Sequence, residues 1–288
     1  MKKIKKYILI KFFWLTLERF PNLFRPSSTP YISGDTFRNF SNHIFDETIT
    51  FDPNKVKKND VIFLNSDLIE IYFQIQHPEI KNKYILITHN SDETVSDKHI
   101  NYIDSKIIKW FAQNLTIKNE KFSLIPIGLE NLRRLKHGRK IWFKQKQKIK
   151  TNNILCSFNT YTNYSEREKI KNSLENKYVE FYNSKNVKNY FEKLSVSKYT
   201  ICPPGNGPDT HRIWESLLLN VVPIMKIDEF TSLLQEIGVP GLYVNSWEEI
   251  NLLNKQQLDE YYENFKFEDF RKFTRFSYWE DTINSSKI

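Results

Sequence analysis

Tyr199-Thr200-Ile201-Cys202 runs directly into Pro203-Pro204-Gly205-Asn206-Gly207-Pro208-Asp209-Thr210, and then into His211-Arg212-Ile213-Trp214-Glu215-Ser216-Leu217-Leu218-Leu219. The first four residues read as a buried strand. The last nine carry apolar side chains at helical spacing, and Pro208 suits a first turn, so the pattern predicts a helix over 209–219. Between them lie two of only seven glycines in the chain. Gly205 and Gly207 allow the backbone to approach a ligand closely, and the helix start offers free N–H groups and positive partial charge to an anion. Three-residue spacing sets Asp209, Arg212 and Glu215 along one expected helix face, with His211 beside Glu215 at i, i+4. An arginine can grip a diphosphate with two N–H groups, and a carboxylate can accept both hydroxyls of a ribose. The Gly-Lys-Ser/Thr of a Walker loop is absent, which excludes ATP hydrolysis by that route. Arg212 and Glu215 alone would read as an ordinary surface pair; the Gly-rich strand-to-helix turn makes them a candidate site.

Outward from this stretch the chain repeats the same alternation. Val61–Leu64, Tyr84–Ile87 and Phe122–Ile125 are short apolar runs bounded by polar turns. After residue 150 come Asn153–Phe158, Tyr178–Tyr182, Tyr199–Cys202, Val221–Met225 and Leu242–Val244, separated by helical patterns over Ser165–Asn176, Val187–Leu194 and 209–219. Strands alternating with helices imply βαβ units, and hence an α/β protein with parallel sheets. A length of 288 residues fits two domains, 1–145 and 146–288.

Ligands of open α/β sheets bind beyond the carboxyl ends of the strands. In the first half those ends read Asn65-Ser66-Asp67, His89-Asn90-Ser91-Asp92 and Pro126-Ile127-Gly128-Leu129-Glu130-Asn131. Polar residues at three successive strand ends suggest one lip of a cleft. Asp67 reads first as a helix cap, whereas His89 and Asp92 share a loop and are both candidates to take a proton.

Composition narrows the chemistry. The chain holds 43 Lys+Arg against 34 Asp+Glu, a net charge of +9, so anionic partners are favoured, although enrichment in Lys, Asn, Ile, Phe and Tyr is also what AT-rich codons supply. Two distant cysteines, Cys156 and Cys202, make neither a disulfide scaffold nor a thiolate zinc site. There is no HxxxH, HExxH or Asp-x-Asp, so no metal and no cofactor is expected. Residues 133–150, RRLKHGRKIWFKQKQKIK, carry nine cationic side chains and no acid. They read as a solvated linker or as a basic edge facing an anionic acceptor or lipid. No nucleic-acid-binding motif accompanies them, so nucleic acid is not an expected partner.

The segment PPGNGPDTHRIWESLLLNVVPIM, residues 203–225, closely resembles the donor-site signature of exostosin-like glycosyltransferases, in which a Gly-containing loop precedes His-Arg, a Glu and a Pro-Ile strand. His89-Asn90-Ser91-Asp92, Trp110-Phe111-Ala112-Gln113-Asn114 and Pro126-Ile127-Gly128 resemble the bacterial members that build surface polysaccharides. The resemblance spans roughly residues 60–245. It implies two Rossmann-like domains in the GT-B arrangement, with the nucleotide-sugar donor in the C-terminal half and a glycan or lipid-linked acceptor in the N-terminal half. It also implies inversion at the anomeric carbon without an essential metal. The donor-binding stretch would then comprise Gly205, Asn206, Gly207, Asp209, Thr210, His211, Arg212 and Glu215, with Arg212 on the diphosphate and Glu215 on the ribose. Asn220 stands where many relatives carry Gly at the helix end, which Asn tolerates because it accepts a left-handed conformation. An inverting transfer also needs a base for the acceptor hydroxyl; Asp92 is the expected one and His89 its rival, and the sequence does not separate them. Capsule or lipopolysaccharide assembly is the expected setting. The alternatives are transfer of a phosphate-linked polyol or sugar from a nucleotide donor, and a catalytically silent nucleotide- or glycan-binding subunit.

Lys2, Lys3, Lys5 and Lys6 precede Tyr7–Leu17, an aromatic and aliphatic run interrupted by Lys11. It is about half the roughly 20 residues a spanning helix needs. A basic amphipathic helix on an anionic membrane and an ordinary buried first helix both fit it. The membrane reading predicts peripheral attachment to the cytoplasmic face, at about 1 kcal/mol per Lys or Arg near the leaflet. Co-sedimentation is then expected with anionic but not neutral liposomes, falling with salt and on deletion of residues 1–17. Equal partitioning onto both, unchanged by the deletion, contradicts it.

Overall fold

The computed structural model describes residues 25–144, 148–265 and 267–288. The basic segment at residues 1–17 lies outside the described residues. In the first half, β1 (His43–Phe45), β2 (Val61–Asn65), β3 (Tyr84–His89), β4 (Ile107–Ala112) and β5 (Phe122–Leu124) form a sheet in that spatial order. Every pairing in it is parallel. The strands β2 and β3 are buried at every position, as a parallel sheet covered on both faces requires. Helices α1 (Gly34–Phe40) and α2 (Ile69–Ile75) belong to this half.

The second half contains β6 (Asn152–Cys156), α3 (Tyr164–Ser173), β7 (Val179–Phe181), α4 (Val187–Ser195), β8 (Ser197–Ile201), α5 (His211–Leu218), β9 (Val222–Lys226), α6 (Glu229–Glu236) and β10 (Leu242–Val244). Its sheet has the order β10-β9-β8-β6-β7, again all parallel. The chain moves outward from β6 to β7, then crosses back so that β8 lies on the other side of β6. By the general rule for open α/β sheets, such a reversal leaves a crevice beyond the carboxyl ends of the strands that flank it, here β6 and β8. The expected pair of Rossmann-like halves with parallel sheets, the GT-B arrangement, is therefore the observed fold.

Helices α7 (Lys255–Glu263), α8 (Phe267–Phe270) and α9 (Phe276–Asn284) complete the chain. Although α9 follows the second half in sequence, it packs on the first. The Phe276 ring lies 5.5 Å from Phe37 and 5.4 Å from Phe40, and its backbone N–H donates to the Pro30 carbonyl. One continuous core joins the first sheet to Ile213, Trp214 and Leu217 of α5, Phe230 and Leu234 of α6, and Trp279 and Ile283 of α9. A separate core lies under β6, β8 and β9.

Two strands went unread in the sequence: β1, which is only three residues long, and β4, whose apolar run is interrupted by Lys109. The Lys109 side chain escapes the sheet by donating to the Glu120 carbonyl at 2.6 Å. One expectation needs correction. The donor helix begins at His211, not at 208–209, with Thr210 in extended conformation as its N-cap. Pro208 and Asp209 belong to the loop, so Asp209 does not share a helix face with Arg212 and Glu215. The Leu217–Asn220 end behaves as expected, with Asn220 at φ 55°.

Trp279 is almost fully buried and donates through Nε1 to the Phe273 carbonyl at 2.9 Å. Trp279→Ala removes that bond and opens a cavity beneath α9, at an expected cost of about 3–5 kcal/mol. Urea unfolding of the full chain measures it; a loss below about 1 kcal/mol would show that α9 is not integral to the first half.

Candidate active site

A cleft of about 660 Å³ opens at the carboxyl ends of the first sheet, with Asp67, Asn90, Asp92, Glu130 and Arg134 in its wall and His211 reaching in from the second half. The three polar strand ends do form one lip. Asn90 turns the chain after β3 at φ 63°, and Gly128 turns it after β5 at φ 66°. A Cβ on Gly128 would come within 2.5 Å of the Ile32 carbonyl oxygen, so only glycine fits there. The cap role at β2 falls to Asn65, whose side chain accepts from the Asp67 N–H at 3.0 Å, while the Asp67 carboxylate accepts from the Ser91 hydroxyl.

The two base candidates differ sharply in surroundings. His89 is 1% exposed. Its Nε2 lies 3.1 Å from the Pro126 carbonyl and its Nδ1 2.7 Å from the Asn90 N–H. The carbonyl needs a donor and the N–H an acceptor, so both ring nitrogens are used by the fold and the ring is neutral. Burial pushes its pKa down to about 4. Asp92 is exposed at the cleft, and its Oδ2 accepts from Asn206 Nδ2 at 3.0 Å. Asn206 therefore touches the opposite half of the molecule.

Residues 206–211 stitch the halves together. The Asp209 N–H donates to Asn114 Oδ1 at 3.1 Å, and Asp209 Oδ2 accepts from the Ile127 N–H at 2.6 Å. Its Oδ1 accepts from Trp214 Nε1 at 2.9 Å. His211 Nδ1 lies 2.7 Å from the Gly128 carbonyl. Gly207 is pressed against Asn114, where a Cβ would stand 2.7 Å from Nδ2. Burial pushes the Asp209 carboxyl up to about 7, against N–H donors from Ile127, Trp214 and Thr210 that favour its charge.

In the crevice of the second sheet, Phe158 follows β6 and is ringed by cations. Arg167 lies 5.5 Å from its centroid, Arg212 5.9 Å and Lys171 6.0 Å. Arg167 Nε and Nη1 are fixed by the Pro204 and Asn159 carbonyls and the Thr162 hydroxyl. Burial, followed by the neighbouring Arg212 charge, lowers its pKa to about 10. A Cβ on Gly205 would lie 3.3 Å from Arg167 Nη2, so the loop and this guanidinium are in contact. Arg212 Nε and Nη1 are buried and have no hydrogen-bond partner among the described residues. Among the described residues none of these three cations is in an ion pair with an acid, and two Arg212 nitrogens are buried without a hydrogen-bond partner, an arrangement with unused capacity for an anion.

Glu215 is buried one turn along α5. Tyr190 donates to its Oε2 at 3.0 Å, and His137 Nδ1 stands 3.6 Å from Oε1. Burial opposes its charge, but His137 and Arg212 hold the carboxyl below its usual range. His137 is correspondingly raised by Glu215 despite burial. Thus Arg212 and Glu215 share α5, Gly205 stands against Arg167, and Asn206, Gly207, Asp209 and His211 turn toward the first half. Sequence reading missed Arg167, Lys171, Tyr190 and His137. Only the i, i+4 pair Arg167/Lys171, on the first helix after a strand, gave a signal. Among the described residues no group of three His, Cys, Asp or Glu side chains is placed to hold a metal ion, and no helix is long and apolar enough to cross a membrane.

Fold and site together define an α/β protein of two parallel sheets, with a cluster of cations around Phe158 in the second half and a polar cleft at the strand ends of the first. Residues 141–276, which carry that cluster, match the family described as the RXYLT1 C-terminal domain, and this likeness supports a glycosyltransferase relationship. No curated protein matches the chain. Among solved structures it is similar to "Trehalose-6-phosphate from E. coli bound with UDP-2-fluoro glucose", at 9% identity and TM-score 0.40 over 80% of this chain and 71% of that one. It is also similar to the Candida albicans trehalose-6-phosphate phosphatase N-terminal domain, at 13% identity and TM-score 0.41 over 81% and 73%. A third likeness, to a chain of the GtfA/B complex, has 11% identity and TM-score 0.38 over 81% of this chain; the present chain spans 58% of that one's length.

The Asp209 carboxyl gives a pH dependence. Its folded pKa of about 7 exceeds the ordinary 3.8, so between those values the folded protein binds more protons than the unfolded chain. Its contribution to stability is full below about 4 and is lost as pH rises through about 7. Asp209→Asn has no such titration. Urea unfolding at pH 5 and pH 8 is expected to show wild type losing stability relative to the variant as pH rises; a constant difference contradicts the assignment.

Proposed function

We propose that this protein is a glycosyltransferase that takes a sugar from a nucleotide diphosphate donor. One observation carries the reading: the unpartnered Arg212 guanidinium lies with Arg167 and Lys171 at the topological switch point of the second sheet, beside the Gly205–Gly207 loop. A diphosphate there receives N–H groups from both arginines, while loop backbone approaches without side chains in the way. Glu215, held by Tyr190 and His137, is the group for the ribose hydroxyls. The donor sugar then extends toward the cleft of the first half, where the acceptor binds.

The chemistry we propose is a single inverting displacement. An acceptor hydroxyl oxygen attacks the anomeric carbon, its proton passing to Asp92, and the bond from that carbon to the phosphate oxygen breaks. The nucleoside diphosphate leaves with the electron pair, and Arg212 and Arg167 meet the charge that develops. Asp92 rather than His89 takes the proton in this scheme, because Asp92 faces solvent in the cleft whereas both His89 nitrogens serve the fold. A fixed pair of guanidiniums supports a reaction that needs no metal on the diphosphate. The basic sequence at 133–150, of which Arg133 and Arg134 line the cleft, supports an anionic surface nearby. On that ground we propose a glycan or lipid-linked acceptor, peripheral attachment at the cytoplasmic membrane face, and a role in capsule or lipopolysaccharide assembly.

Titration calorimetry in EDTA with UDP, GDP and CDP tests the donor site. Wild type is expected to bind one of them. Arg212→Ala is expected to cost about 2–5 kcal/mol, the range for removing one partner of a desolvated charge pair. Lys171→Ala, at an exposed position, should cost under about 1 kcal/mol. Failure of wild type to bind any of the three, or equal binding by Arg212→Ala, overturns the assignment.

A further inference from the structure

His211 is the residue through which the second half enters the cleft wall. It opens α5, and the next residue, Arg212, points the other way, into the cations around Phe158. His211 thus belongs to the cleft wall of the first half while its chain neighbour belongs to the cation cluster of the second. The tautomer of the ring is set by geometry. Nδ1 lies 2.7 Å from the Gly128 carbonyl, an acceptor only, so Nδ1 carries a hydrogen and donates it. In the neutral ring Nε2 is then an unprotonated acceptor. His89, the neighbouring imidazole, offers no such atom, since both its nitrogens are engaged.

We propose that His211 is a specificity-determining residue whose Nε2 accepts a hydrogen bond from a hydroxyl of the transferred sugar. This rests on the donor-site reading and deepens it: the crevice holds the nucleoside diphosphate, and His211 reads what the diphosphate carries. A site built to accept from a hydroxyl discriminates against a sugar lacking it, because the acceptor is left unpaired. The Gly128 bond locks the ring, so this readout depends on closure of the two halves.

The alternative role is structural, a tie between the halves through Nδ1 alone. His211→Asn separates the two. An asparagine amide can reproduce the donation to Gly128 but has nothing at the position of Nε2. Wild type and His211→Asn are titrated with UDP, GDP and CDP and with UDP-glucose, UDP-galactose, UDP-xylose and GDP-mannose, and thermal unfolding is recorded for both. The expected result is unchanged affinity for the bare nucleoside diphosphate, an unchanged melting temperature, and roughly 10- to 100-fold weaker binding of the preferred sugar nucleotide. Equal sugar-nucleotide affinity in the two proteins overturns the proposal, as does a parallel loss for the bare nucleotide, which would make His211 a phosphate contact. Wild type that binds no nucleoside diphosphate overturns the donor-site reading itself, and this inference with it.

Discussion

Asp209 is the residue on which the arrangement of the molecule turns. One carboxylate oxygen takes a backbone N–H of the first half, from Ile127, and the other takes the indole N–H of Trp214 in the second. The group is 4% exposed, so desolvation weighs heavily on its charge, and only donors on both sides make that burial tolerable. Its own N–H is fixed by Asn114. The loop that carries Gly205 and Gly207 is thereby held across the two halves, and Asp209 is drawn out of the helix toward Ile127, so that α5 starts at His211. Removing the carboxylate would leave the Ile127 and Trp214 donors unsatisfied, each worth about 1–3 kcal/mol when buried.

That seam explains the division of labour around it. On one side, the chain reversal between β6 and β8 leaves a crevice where Arg167, Lys171 and Arg212 gather around Phe158. On the other, the strand ends of the first sheet supply Asp67, Asn90 and Asp92. His211 and Asn206 reach across, one to the Gly128 carbonyl and one to Asp92. In the proposed displacement the cations around Phe158 would meet the departing anion, and Asp92 would take the proton of the incoming hydroxyl.

Apart from β1 and β4, the strands of the two parallel sheets were legible as short apolar runs with polar ends, and those ends in the first half named the lip of the cleft directly. Arg212 and Glu215 were legible because their three-residue spacing lies wholly within α5. What escaped was set by contacts between residues distant in sequence. The Asp209–Ile127 bond spans 82 positions, and nothing local distinguishes Asp209 from a first-turn helix residue. Arg167 looks like surface charge on a short helix until β8 brings the Gly205 loop against it, and the exposed Lys171 joins it only at the Phe158 ring. Tyr190 and His137 come from α4 and the basic connecting stretch, and their meeting at Glu215 is purely tertiary.

The most direct test of the central claim is the position of the two phosphorus atoms in a crystal structure with whichever of UDP, GDP or CDP binds. The account requires both phosphates in the β6–β8 crevice, with oxygens within hydrogen-bond distance of Arg212 Nε or Nη1 and of Arg167. Phosphates bound instead in the first-half cleft against Arg133 and Arg134, with Arg212 still unpartnered, would contradict it.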